Sequence, residues 1–106
     1  MKKPRFHILL AVAEGPAHGA EIQRRVSERT DGEVRLYPVT LYRSLDELAG
    51  GGLIEETASP EFEQHNEKRR YYLITSAGRE ALAAEAEALE AAARMAHAVL
   101  KTESAR

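Results

Sequence analysis

The chain has 106 residues and a mass of 11.7 kDa, enough for one domain closed around a single core. It contains no Cys, which excludes disulfides, thiolate metal sites and cysteine nucleophiles. Apolar residues make up 43% and charged residues 30%, and 15 Lys+Arg against 17 Asp+Glu give a net charge of −2. No segment is a basic tail or an acidic block, so any nucleic-acid surface has to be a local patch on the folded domain. The longest near-continuous apolar run, Ile8 to Ala13, is six residues long, against the roughly 18 needed to span a bilayer. The basic start Met1-Lys2-Lys3-Pro4-Arg5 is followed by no signal-peptide core. The expected location is cytoplasmic, with no membrane partner.

Phe6, Leu9, Leu10 and Ala13 recur at i, i+3, i+4 and i+7, which predicts a short first helix stopped by Glu14-Gly15-Pro16. A second helix starts near His18 or Gly19, where His18 suits a capping or packing role. Ile22 and Val26 form its inner face, with Arg24, Arg25, Glu28 and Arg29 turned to water, and Asp31-Gly32 ends it. Pro38 fits the first position of a third helix, where its missing N–H would be unpaired anyway. Leu41, Leu45 and Leu48 stripe one side of that helix, and Gly50-Gly51-Gly52 stops it. Leu53 to Thr57 and Arg69 to Thr75 read as two strands around a polar loop, a long hairpin. From an N-cap at Thr75 the chain is helical to about Thr102, roughly 40 Å at 1.5 Å per residue. In this last helix Leu82, Ala86, Leu89, Ala93, Ala96 and Leu100 repeat at alternating spacings of 4 and 3, a heptad-like seam. The seam is too long for so small a core, and an identical chain is the simplest partner for it.

Three helices, a hairpin and a long helix predict a mainly α fold with a small β-hairpin: a winged helix-turn-helix over residues 1–75, with a C-terminal dimerisation helix over 76–106, as one compact unit. The short connection between helices two and three suits a helix-turn-helix, whose second member enters the major groove. Four stretches carry the reading further: Gly15-Pro16-Ala17-His18-Gly19-Ala20-Glu21-Ile22, Thr40-Leu41-Tyr42-Arg43-Ser44-Leu45-Asp46-Glu47-Leu48, Gly52-Leu53-Ile54, and Tyr71-Tyr72-Leu73-Ile74-Thr75-Ser76-Ala77-Gly78-Arg79. In this order and spacing the chain resembles the PadR family of transcriptional regulators, in its short type with a single C-terminal helix. Ala20 departs from the Tyr usual in that family, and Ile74 from its Leu. The resemblance implies a homodimeric repressor on a palindromic operator in double-stranded DNA. It leaves open a small-molecule effector near the dimer interface, where the lining is mostly Ala and Leu with no convergent polar set.

If Leu41, Leu45 and Leu48 face the core, Thr40, Arg43, Ser44 and Glu47 share the outer surface of helix three, with Tyr42 between the two faces. These are the candidate DNA contacts. Lys68, Arg69 and Arg70, a basic triplet at the base of the wing, add phosphate or minor-groove contacts. Glu61, Glu63 and Glu67 would repel phosphates, so the returning strand is favoured over the wing tip. Lys2, Lys3 and Arg5 suit a phosphate clamp or a disordered terminus equally. The dimer interface is expected at Leu82, Ala86, Leu89, Ala93, Ala96 and Leu100. The four histidines, His7, His18, His65 and His97, have no zinc-ligand spacing. The glycine triplet lacks the Lys-Ser/Thr of a phosphate loop, and no nucleophile elbow is present. No metal, no cofactor and no enzymatic activity are expected. The competing reading is a winged-helix module that grips protein instead of DNA, and fold alone does not choose between the two.

Overall fold

In the computed structural model, which describes residues 1–58 and 70–104, helix α1 (Lys3–Ala13) begins three residues before Phe6. Pro4 sits in its first turn, where no N–H is needed. Ile8, Leu9, Ala11 and Val12 are buried, and α1 touches every layer of the domain. That central position explains apolar residues spread around the helix and not confined to one stripe.

After Glu14–Pro16 comes an element that sequence reading misses. Strand β1 (Ala17–His18) is two residues long, too short to show a period. It gains its identity from its neighbours: Ala17 pairs with Tyr72 and His18 with Tyr71, antiparallel. The sheet therefore has three strands and not the two of a hairpin.

Helix α2 (Gly19–Arg29) follows directly. The His18 Nδ1 accepts the Glu21 N–H at 3.3 Å, the capping role expected of it. Ile22 and Val26 are buried as the pattern requires. Arg25 is not turned to water as expected. It is half-buried, and its Nη1 donates to the carbonyls of Ala11 and Gly15 at 3.0 Å each. The last carbonyls of α1 lack helical partners, and the guanidinium supplies them.

The connection to the third helix spans Thr30 to Tyr37, eight residues, longer than the expected short turn. It is nonetheless well tied. Thr30 Oγ1 donates to Val26 O at 2.8 Å and accepts the Val34 N–H at 3.0 Å. Gln23 Nε2 donates to Leu36 O at 2.6 Å, and Val34 and Leu36 are buried. Helix α3 (Pro38–Gly50) opens on Pro38 and buries Leu41, Leu45 and Leu48 to 1% exposure or less. At its end Gly52 takes a left-handed φ of +76°. The Gly52 and Leu53 N–H groups return to Ala49 O at 3.1 Å and Leu48 O at 3.0 Å, a glycine-dependent helix stop.

Strand β2 (Ile54–Ala58) pairs antiparallel with β3 (Arg70–Ile74), Ile54 against Ile74 and Ala58 against Arg70. The order β1-β3-β2 puts β3 in the centre, with Ile54 and Tyr72 turned into the core. Helix α4 (Ser76–Ser104) has 29 residues. Thr75 caps it, Oγ1 accepting the Gly78 N–H at 3.0 Å and donating to Gly52 O at 2.6 Å. Only the start of α4 packs on the domain, through α1 and through Leu82 against the core. The rest projects, so the molecule measures 65 × 27 × 21 Å with a radius of gyration of 16.7 Å, against about 13 Å for a compact chain of this size.

The seat of α4 is unusually close. A β-carbon at Gly78 would overlap the Leu53 carbonyl oxygen and press on the Ile74 side chain. The opposing backbone is held by Thr75 N–H donating to Leu53 O at 3.1 Å. Gly78→Ala should cost about 3 kcal/mol, the upper range of overpacking. Urea denaturation checks this; Gly50→Ala, where a β-carbon meets open space, should cost little.

His7 in α1 places its ring edge-on to Phe6 at 5.4 Å, and its Nδ1 is buried with no hydrogen-bond partner among the described residues. Burial, with the charges of Lys3 and Arg29 behind it, pulls its pKa below the ordinary 6.5. The unfolded chain therefore binds this proton more readily than the folded one, so stability falls as pH drops below 6.5. Thermal melts between pH 7.5 and about 5 should show that loss, and His7→Gln should flatten it.

Candidate nucleic-acid interface

Burial of the leucine stripe sets which way every other α3 side chain points. Arg43 lies two residues from Leu41 and from Leu45, close to opposite them on a helix, and is exposed with no ion pair or hydrogen bond among the described residues. Thr40 is exposed beside it. Tyr42 is half-exposed, with its phenol laid over the first residue of α2. A β-carbon at Gly19 would come within 2.9 Å of the Tyr42 hydroxyl. The ring thus ties α3 to α2 while its edge stays open to solvent.

Ser44 does not reach the outer surface as expected. It is 8% exposed, because it stands three residues after Leu41 and four before Leu48 and so falls within the buried arc. Glu47 is exposed but engaged: its carboxylate accepts a hydrogen bond from the Arg5 guanidinium at the start of α1. That bond, with the charges of Arg5, Lys2 and Arg43 behind it, holds the Glu47 carboxyl below the usual carboxylate range. Lys2, Arg5 and Arg43 therefore surround one carboxylate, a local positive surface on a chain of net negative charge. Arg5 is held by this pair within a regular helix and is not part of a loose terminus.

Arg70 opens β3, exposed, with Glu56 across the sheet at 3.4 Å. Lys68 and Arg69 lie outside the described residues, as do Glu61, Glu63 and Glu67 of the wing loop. Sequence reading missed Val39, which is exposed on the first turn of α3. The signal was available, since Val39 precedes Leu41 by the same two residues that set Arg43 outward. It also missed Arg35, exposed in the connection just ahead of α3.

Of the seam on α4, Leu82 packs against the core of its own chain and Ala86 is half-buried. From Leu89 onward the seam lies open: Leu89 is 47% exposed and Leu100 58%, with Ala93 and Ala96 exposed between them. Met95 and Val99 widen this apolar surface. Among the described residues no helix is long and apolar enough to cross a membrane.

A tied helix pair whose second member turns Arg43 outward, followed by the antiparallel β2 and β3 of a three-stranded sheet, defines a winged helix-turn-helix domain. The chain belongs to the PadR family: the Transcriptional regulator PadR-like family matches residues 8–84. Transcriptional regulator Rv3488 of Mycobacterium tuberculosis is 37% identical over 90 residues, 85% of this chain and 78% of that protein. A transcriptional regulator from Clostridium thermocellum, Cth-833, superposes with a TM-score of 0.75 at 26% identity, covering 87% of this chain and 84% of the other. A PadR family transcription regulator from Clostridium difficile R20291 shares the fold at a TM-score of 0.81 and 22% identity, over 93% of this chain and 99% of that one.

Proposed function

We propose that the protein is a sequence-specific DNA-binding repressor that acts as a homodimer on a palindromic operator. The observation that carries the reading is the outward face of α3, where Thr40 and Arg43 are exposed, Arg43 makes no hydrogen bond or ion pair among the described residues, and the leucines opposite them are fully withdrawn. With α3 in the major groove, Arg43 reaches a guanine O6/N7 edge through its two-pronged guanidinium. Thr40 and the Tyr42 hydroxyl flank it toward bases and phosphate. Arg70, with Lys68 and Arg69, meets phosphates on the wing side. Glu47 does not read a base in this scheme; it holds Arg5 beside the groove.

Duplex binding should weaken steeply as salt rises, with a logarithmic slope of about −0.9 for each phosphate neutralised. Arg43→Ala should remove about 1–3 kcal/mol of discrimination at one position per half-site, read by titrating single-base variants of a selected duplex. Uniform weakening on all duplexes would make Arg43 a phosphate contact. Salt-independent binding, or none, would favour the protein-gripping module.

The dimer rests on the open part of the α4 seam, Leu89 to Leu100, where small Ala93 and Ala96 let two helices approach closely. Two symmetry-related α3 helices then call for half-sites about 10–10.5 bp apart, or one turn further. An effector held in that interface would meet Ala and Leu and would be chosen for apolar character. Sedimentation at micromolar concentration should give a dimer. Leu89→Glu, which sets two charges in the seam, should give a folded monomer, because Leu89 is half-exposed within one chain. A wild-type monomer would overturn this part.

A further inference from the structure

Val39 has no evident work to do within its own chain. It is 70% exposed, the most open of the large apolar side chains among the described residues. Valine is also a poor helix former, so neither packing nor propensity accounts for it in the first turn of α3. Its position does point to a role. It precedes Arg43 by four residues, so the two side chains share one face, about 40° apart around the helix and about 6 Å along it. Arg43 shares this face, and exposed Arg35 precedes Val39 by four residues in the chain. The surface around Val39 is thus set to receive a polyanion, with one apolar branched group placed where the first turn of a recognition helix meets base edges.

We infer that Val39 is a specificity-determining residue, its isopropyl group packing against the C5-methyl of a thymine one or two base pairs from the guanine read by Arg43. This rests on the reading that α3 enters the major groove. Thymine is the only standard base that presents a methyl group there, and the others offer hydrogen-bonding groups that valine cannot answer. The spacing follows from the helix: a 6 Å offset along α3 covers about two base steps of 3.4 Å. Arginine and valine together then select a guanine and a nearby thymine, one by hydrogen bonds and the other by shape and apolar contact.

The test removes one methyl group from the DNA. Duplexes are selected by the wild-type chain from a random 30-bp pool, and each dT of one half-site is replaced in turn by dU, which lacks only the C5-methyl. For the wild type, one replacement within two base pairs of the Arg43-dependent guanine should weaken binding about fourfold, the worth of one buried methyl. Val39→Ala, at an exposed position and with an unchanged melting temperature, should bind the dT and dU duplexes alike. Equal dU effects in wild type and variant at every position would overturn the inference, as would a sensitive thymine elsewhere in the half-site. A duplex that is selected and depends on Arg43 but is indifferent to dU defeats Val39 alone. Failure to select any duplex defeats the major-groove reading as well.

Discussion

Leu41, Leu45 and Leu48 are withdrawn from solvent to 1% or less, and the orientation of α3 depends on that burial. Three leucines at i, i+4 and i+7 can be dry together only if the helix turns one side to the elements it packs against, α1, α2 and β2. Each buried leucine contributes about 1.5–3 kcal/mol, far more than any surface contact on the opposite face. The outward face is therefore a consequence of the inward one. Arg43 and Val39 are exposed because they oppose the stripe, and Ser44 is buried because it lies inside it. Glu47 sits at the edge, where the start of α1 can reach it with Arg5.

The same helix is coupled to the wing and to α4 through a few backbone atoms. Gly52 stops α3, and its carbonyl takes the Thr75 hydroxyl at 2.6 Å. Leu53 begins the wing, and its carbonyl takes the Thr75 N–H at 3.1 Å and lies against Gly78. One junction thus ends α3, starts β2 and seats α4, with no side chain at Gly78 to hold the backbones apart. The direction in which α4 leaves the domain is accordingly fixed relative to α3. If α4 pairs with a second copy, the separation of the two α3 helices is set by this rigid seat, and so is the half-site spacing that the pair would accept.

What was legible in the sequence was what local chemistry decides. The glycine triplet, Thr75 and His18 mark helix ends through hydrogen bonds to near neighbours, Pro38 marks one by lacking an N–H, and the leucine stripe marks a face through period alone. What was not legible depends on distant partners. Strand β1 exists because Tyr71 and Tyr72, more than fifty residues away, complete its pairing. Arg25 is half-buried because α1 ends beside it. The eight-residue connection before α3 is held by Gln23 and Thr30, which nothing in its own composition announces. Ser44 is a different kind of miss: the period that placed the leucines also places it, and its polar character obscured that.

A net charge of −2 is a poor starting point for binding a polyanion until the pairs are located. Arg25 is turned to the carbonyls of α1 and to Glu21, Arg29 to Glu14 and Arg94 to Glu90. These cations are compensated where they stand. Around α3 the balance reverses, with Lys2, Arg5 and Arg43 sharing Glu47. Screening limits a charge in physiological salt to about 8 Å, so an approaching phosphate responds to this local excess and not to the sum over the chain. Glu87 and Glu90 are exposed on α4, the element that projects from the domain, whereas Glu85 pairs with the N-terminal amine at 3.3 Å. A weakly charged chain thus carries a locally positive face without a basic tail.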